Sequence, residues 1–545
     1  MSKLSQAVKN KKDKNKVVNF MGGYSYEINP LDTLKMVTAS SIFGEPQYYR
    51  DGLFAEAKMK DGRYHINKHF KEYSIIDDKY EGKTTSEMME DIIDEALSYD
   101  FKGTLLWAVV LRKEFLMRLN PQIILVRASL HPDRIKFTKE NPGLFNQINE
   151  EVMSRADEPA TQLAYYLFKN DNNKNKIPGI LKKSWSKKLS KLSSYQINKY
   201  KNAGIGMIDT IRICHANSEA IDELMRNKKV TVADNEQKWE TLRAEGKSWK
   251  EIINTITLAK FPHMALLRNL RGIFKEIDDF EFCKEVMEQL KKGVPYGKQF
   301  PFRYKTALEM IQKSEVNHKQ LILDTLEECM DISCENLPKL HGKTMCLSDN
   351  SGSAWSTFNS EYGSVTVAKI SNLSSVITAR NSDEGYVGVF GDKLNIIDVS
   401  KRNGILKQTE EIDKSGKTVG MSTENGIWLF FKKAIENKEH WDNIVIYSDM
   451  QAGHGGLYGT PACAKEYRKK GYAIDGEYID VAKLIQEYRK INKNVNVYCI
   501  QTAGYNNVLV PEYAYRTNIF YGWTGKELEF IDRMNKFWDE KDKNN

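Results

Sequence analysis

The spacing of apolar residues changes character near residue 340. Before it, hydrophobic positions recur at helical spacing, the period of an amphipathic helix. Met89, Ile92, Ile93, Ala96 and Leu97 make one stripe, preceded by Thr84 and Glu87 at capping-box spacing. Leu105, Ala108, Val109, Leu116 and Leu119 make another. Further stripes run through 157–168, 206–217, 263–274, 276–290 and 303–330, separated by prolines at 121, 132, 142, 159, 262, 295 and 301. So many consecutive helices without strands predict paired helices stacked as a solenoid, although no fixed repeat length shows.

Beyond residue 340 short apolar runs alternate with helical stripes. Thr344–Leu347, Tyr386–Phe390, Leu394–Val399, Asn443–Ser448, Val495–Gln501 and Asn518–Tyr521 read as strands. Ile370, Leu373 and Ile377 keep helical spacing between them, as do Leu484, Tyr488 and Ile491. That alternation predicts a doubly wound α/β sheet. The expected fold is therefore multidomain, α followed by α/β.

In such sheets ligands sit outside the carboxyl ends of the strands. At one such end the chain reads Asp349-Asn-Ser351-Gly-Ser353, so that one carboxylate and two hydroxyls can turn toward a common point. Oxygen-only ligands suit a hard cation, and magnesium's octahedron leaves positions for water or a partner's oxygen. Asp449 follows the Asn443–Ser448 run, and Thr423 opens the helix before it, so three loops can converge. The plain structural alternative is that Ser351, Ser353 and Asp449 merely cap helices. Residues 341–545 resemble a von Willebrand factor A-like domain with a metal-ion-dependent adhesion site. The resemblance implies Asp349, Ser351, Ser353, Thr423 and Asp449 as ligands of Mg2+, with Ser422 competing for the role of Thr423.

Composition narrows the class. A chain of 545 residues with 41% hydrophobic content fits a soluble globular protein of several domains. The longest uninterrupted apolar stretch, Leu105–Leu111, is too short to cross a bilayer, and the lysine-rich start has no apolar core of a secretory signal. Seven scattered cysteines with no Cys-x-x-Cys pair predict reduced thiols, a cytoplasmic protein and no zinc site.

The net charge of +8 matters mostly through its placement. From Asn172 to Ile208 no acidic residue occurs, while lysines stand at 174, 176, 182, 183, 187, 188, 191, 199 and 201. Trp185, Tyr195 and Tyr200 are interleaved. Lysines contact phosphates and aromatic faces stack on unpaired bases, which favours nucleic acid over an ordinary solvated face. Lys182, Lys183, Lys187, Lys188, Lys191, Lys199, Tyr200 and Lys201 are the candidates within it. Nearby, Arg212 and His215 stand three apart, on one helical face. Arg212 can grip a phosphate and His215 can stack on or donate to RNA, or the histidine can be a satisfied core residue. Arg268 and Asn269 interrupt an apolar run and suit either RNA contact or ties between helices.

At these residues the chain resembles the Ro autoantigen family, a TROVE module followed by a von Willebrand factor A-like domain, here of bacterial or phage type. Pro262-His-Met-Ala-Leu-Leu-Arg-Asn-Leu270 is similar to that family's Pro-x-x-Ala-Leu-Leu-Arg-Asn-Leu. Lys199-Tyr-Lys201 followed by Asp209-Thr-Ile-Arg-Ile-Cys-His215 is similar to its Lys-Tyr-Arg and Asp-Leu-Leu-Arg-Leu-Ser-His stretch. Phe300-Pro-Phe-Arg303 and Gly22-Gly-Tyr24 match more loosely. The resemblance implies a ring-like solenoid of HEAT-type helical repeats at 20–340, after a basic disordered tail at 1–19, closed by a Rossmann-type A-like domain at 341–545. It implies partners too: a small non-coding Y-like RNA, misfolded RNA with a single-stranded 3′ end, and an exoribonuclease such as polynucleotide phosphorylase. The role implied is RNA quality control without catalysis. Asp449 is followed by Met450-Gln451 where the family often has Asn and Glu. Two rival classes stay open: a metal-dependent hydrolase using Asp349, Asp449 and His454, and a protein-adhesion module that binds a partner's carboxylate through the ion.

Overall fold

The computed structural model describes residues 16–18, 24–27, 29–39, 85–171, 173–200, 206–232, 238–355, 357–360, 363–420, 424–448, 450, 469–470, 473–474, 478–479, 481–502, 507–508, 515–521, 525 and 527–543. It divides into two compact units, one made of 1–137 and 338–545, the other of 138–337.

In the 138–337 unit every element among the described residues is a helix. Local chemistry sets the boundaries. Pro159 and Pro301 stand in the first turns of Glu158–Lys169 and Pro301–Gln312, where no backbone donor is needed. Ser248 and Glu251 close a capping box on Trp249–Ile256. Asp279 accepts from the Phe282 amide at 3.1 Å to start Phe280–Gly297. Phe145, Tyr165, Tyr166, Trp185, Phe274 and Tyr304 fill the core.

The other unit is built on a six-stranded sheet. Its strands are β1 (Leu340–Asp349), β2 (Ser382–Phe390), β3 (Leu394–Asp398), β4 (Asn443–Ser448), β5 (Asn496–Gln501) and β6 (Thr517–Tyr521). The order is β6-β5-β4-β1-β2-β3, parallel except for the antiparallel edge strand β3. Alternate residues point to opposite faces. Met345, Leu347, Ile444, Ile446, Val497 and Cys499 pack with helices Glu424–Glu436 and Val481–Tyr488. On the opposite face Tyr447 shares a 2.7 Å hydrogen bond with Thr378 of helix Val367–Arg380. Tyr498 there donates to Asn535 of helix Glu527–Lys543. The expected doubly wound sheet is present, covered on both faces.

Helices Thr85–Tyr99 and Phe101–Lys113 belong to the same unit as the sheet. Phe115 stacks on Phe520 of β6 with centroids 5.5 Å apart, and Arg533 pairs with Glu114 at 2.6 Å. The stripe through Met89 and Leu97 is buried as expected, but the second stripe ends early. Leu116 lies beyond the helix with φ of 57° and is exposed.

Strands also form where helices alone were expected. Lys16–Val18 pairs with Tyr24–Glu27, which pairs in turn with Asn507–Val508. Lys16–Val18, within the tail expected to be disordered through residue 19, is therefore a paired strand, and the second neighbour of Tyr24–Glu27 lies nearly 500 residues away, where a local reading does not see it. None of the six described cysteines is in a disulfide, and burial pushes the thiols of Cys214 and Cys283 up to about 11. Among the described residues no helix is long and apolar enough to cross a membrane.

Candidate metal centre and nucleic-acid interface

The sheet order reverses between β1 and β4, and the carboxyl ends of these neighbours flank the topological switch point where doubly wound sheets take their ligands. Asp349 ends β1 there and is fully buried. Its Oδ2 accepts a 2.6 Å hydrogen bond from the Ser448 hydroxyl at the end of β4. Its Oδ1 accepts from the Ser351 amide at 2.9 Å, which folds the loop back over the strand end. The hydroxyls of Ser351 and Ser353 lie 3.2 Å apart. The structure thus gathers the first three predicted ligands, Asp349, Ser351 and Ser353, at one strand end. Thr423 and Asp449 lie outside the described residues, as do Ser422 and His454.

A buried polar network holds this loop from behind. Asn350 donates to the Ser348 carbonyl at 3.1 Å and to Asn372 Oδ1 at 2.8 Å. Asn372 donates back to Asn350 Oδ1 at 3.0 Å and to Asp413 at 2.7 Å. A Cβ at Gly416 would run into the Asn350 side chain, so the helix Ile405–Gly416 closes tightly on the network. Sequence reasoning named neither Asn350 and Asn372 nor Ser448. The one local signal was that Ser448 precedes Asp449 at a strand end.

The donor chemistry fits a hard cation. Burying a carboxylate is costly unless charge or hydrogen bonds compensate, and the neighbouring groups offer oxygen ligands. Among the described residues no group of three or more His, Cys, Asp and Glu comes together, so an ion here would rest on one carboxylate and hydroxyls.

The acid-free lysine segment forms part of the helical unit. Helix Gly179–Leu189 turns Leu181, Ser184, Trp185 and Leu189 inward. Lys183, Lys187 and, just past the helix, Lys191 are exposed, while Lys182 and Lys188 are half-buried. Lys187 pairs with Glu150 at 2.7 Å. Trp185 is fully buried, its indole N–H donating to Gln162 at 2.7 Å, and Gln162 donates to Asn149 at 2.7 Å. It is therefore a core residue and not a base-stacking face: helical period, invisible in a reading of charge alone, turns it inward. Trp185→Phe is expected to lower stability by about 1–2 kcal/mol through loss of the buried hydrogen bond to Gln162. RNA affinity should stay unchanged, as chemical denaturation and a binding titration on the same protein would check.

Tyr200 carries the Arg155 guanidinium over its ring at 4.9 Å, and the Lys199 ammonium lies 5.6 Å from both the Tyr195 and Tyr200 rings. Lys201 lies outside the described residues. Arg212 is exposed on helix Met207–Cys214, whose Met207, Ile211 and Cys214 face inward. His215 is the residue after the helix, in left-handed conformation with φ of 54°, and it is exposed. That geometry replaces the shared helical face expected for Arg212 and His215, and it removes the core-histidine alternative. Arg268 is exposed on His263–Glu276, while Asn269 donates to the Ala265 carbonyl of its own helix at 2.8 Å.

No protein-family model matches the chain, and no curated protein matches it. The crystal structure of the Deinococcus radiodurans Ro protein (RSR) does match, with a TM-score of 0.56 and 12% identity over 93% of this chain and 100% of that chain. Helices followed by a doubly wound sheet, with a likeness that covers nearly the whole length, give this chain a Ro-like fold.

Proposed function

We propose that this chain is a non-catalytic RNA-binding protein of the cytoplasm, acting in RNA quality control as part of a ribonucleoprotein. The observation that carries the proposal is the lysine face of Gly179–Leu189, displayed on a Ro-like fold with its apolar side closed by Trp185. Lys182, Lys183, Lys187, Lys188, Lys191 and Lys199 supply phosphate contacts to a small folded, Y-like RNA, an interaction that is broad in sequence and steep in salt. Arg212 and His215 meet a single-stranded 3′ end of misfolded RNA, one as a phosphate clamp and the other by stacking or donating a hydrogen bond. Asp349, Ser351 and Ser353, with Thr423 and Asp449, hold Mg2+, which would present an open position to an acidic group of a partner. An exoribonuclease such as polynucleotide phosphorylase is the partner class this role calls for.

A hairpin with a single-stranded 3′ tail should bind at least about tenfold more tightly than the same hairpin with a blunt end, because bases are accessible only when unpaired. Arg212→Ala combined with His215→Ala should remove most of that preference. Both residues are exposed, so the melting curve should not move. Equal binding of tailed and blunt hairpins by the unmodified protein would reject recognition of a free 3′ end. Magnesium-dependent shortening of the labelled RNA would point to the hydrolase class instead.

A further inference from the structure

A second stretch of the helical unit repeats the chemistry of the lysine segment without belonging to it. From Gln289 to Leu308 no acidic residue occurs, while Lys291, Lys292, Lys298, Arg303 and Lys305 do. Tyr296, Phe300, Phe302 and Tyr304 are set among them. Lys291 is engaged with Glu288 and Glu328 at 3.2 and 3.1 Å.

His263 pins this stretch together. Its imidazole shares a 2.8 Å hydrogen bond with the Tyr304 hydroxyl, in the first turn of helix Pro301–Gln312. The same ring lies so close to Gly293 and Gly297, on helix Phe280–Gly297, that a Cβ at either would collide with it. Burial lowers the pKa of His263, disfavouring a charge on the ring in this seam. The seam fixes Tyr296, beside Gly297, and Phe302 and Arg303, beside Tyr304, on either side of one short turn. Lys298 caps the first helix in left-handed conformation with φ of 48° and is exposed.

The aromatic rings split into two kinds. Tyr304 is buried and structural. Tyr296 is 86% exposed, the most exposed large hydrophobic side chain among the described residues. Phe300 and Phe302 are half-buried and stack on each other, with centroids 5.7 Å apart and planes inclined by 14°. The Arg303 guanidinium sits 5.1 Å from the centre of the Phe302 ring. Rings at a surface, in a stretch of sequence that carries cations and no acidic residue, match an unpaired polynucleotide: phosphates need the cations and bases need flat faces.

We infer that residues 296–303 form a base-stacking platform for single-stranded RNA, with Tyr296 and the Phe300–Phe302 pair as stacking faces and Lys298 and Arg303 as phosphate contacts. This rests on the RNA-binding reading of the chain and adds a subsite that contacts bases, where the lysine helix contacts backbone. The occupant is a strand without secondary structure, since bases in a duplex have no free faces.

The test uses the full-length chain and two labelled probes, a short unstructured oligoribonucleotide and a blunt RNA hairpin, followed by fluorescence anisotropy. Tyr296→Ala with Phe300→Ala should weaken the unstructured probe by about fivefold or more for each stacking face removed and leave the blunt hairpin unchanged. Tyr296→Ala alone, at so exposed a position, should leave the melting curve in place and still show the selective loss. Tyr296→Trp should retain affinity, and the indole it introduces should be quenched by the unstructured probe. If the unmodified protein binds the unstructured probe, yet Tyr296→Ala binds it equally and Tyr296→Trp shows no quenching, the platform is wrong while the RNA-binding reading stands. If the unmodified protein binds neither probe, both fall. Displacement of the unstructured probe by polyglutamate as readily as by unlabelled RNA would also overturn the platform, reducing it to a general anion surface.

Discussion

Lys183→Glu, Lys187→Glu and Lys191→Glu together should weaken the binding of a folded RNA by about a hundredfold at physiological salt, and should flatten the plot of log affinity against log salt by about two to three units. Each lysine that neutralises a phosphate releases counterions, so replacing three at once changes the slope as well as the intercept. These lysines are the right set because they are exposed, whereas Lys182 and Lys188 are half-buried against the unit. The loss should be similar for RNAs of unrelated sequence, since phosphates carry no base information. Stability should fall by no more than about 1 kcal/mol, because the Lys187–Glu150 pair is a surface ion pair. An unchanged affinity and salt slope would return the helix to an ordinary solvated face. Filter binding across a salt series, alongside a melting curve, makes the comparison.

Asp349→Asn should abolish stabilisation of the protein by magnesium. A ligand that binds only the folded state adds about 2.7 kcal/mol at a hundred times its dissociation constant, so the lost effect is a melting shift of several degrees. The asparagine keeps the volume and one acceptor oxygen at the strand end, which confines the change to charge and to the Ser448 hydrogen bond. Asp349→Ala is a harsher change. It leaves the buried Ser448 hydroxyl and Ser351 amide without their carboxylate and opens a cavity, at a cost of about 2–4 kcal/mol even without magnesium. The pair of variants separates the two roles of Asp349: only the alanine should melt early in chelator, and both should ignore added magnesium. Calorimetry that finds equal magnesium affinity in Asp349→Asn and in the unmodified protein would overturn the metal assignment.

The candidate site was legible in part. Asp349, Ser351 and Ser353 stand at one strand end because a two-residue repeat and a strand terminus are local features, written in consecutive residues. The Ser448 hydroxyl on Asp349 and the Asn350–Asn372–Asp413 network were not legible. Their links join residues 99, 22 and 41 positions apart, and nothing in either segment signals the other. The RNA candidates divide the same way. Exposure of Lys183 and Lys187 follows from helical period once Trp185 is seen to point inward, whereas the position of His215 depends on where its helix stops. Among the aromatic residues of 289–308, only exposure separates Tyr296 from Tyr304.

By itself the sequence determined the change from helical to alternating pattern near residue 340, the strands and helices of the sheet, and the Asp-x-Ser-x-Ser turn. Each is encoded within a dozen neighbouring residues, through period, caps and turn residues. Tertiary structure alone decided which strands are neighbours, and so that β1 and β4 adjoin at the switch point. It also decided that the helices up to residue 137 join the unit of the sheet and not that of 138–337, and that Lys16–Val18 and Tyr24–Glu27 form a small sheet with Asn507–Val508. The physical reason is common to all three. Burial of apolar faces is non-directional, so a stripe such as Met89–Leu97 states that it must be covered without stating by what. The choice of cover is made by shape and hydrogen-bond register between segments far apart in the chain.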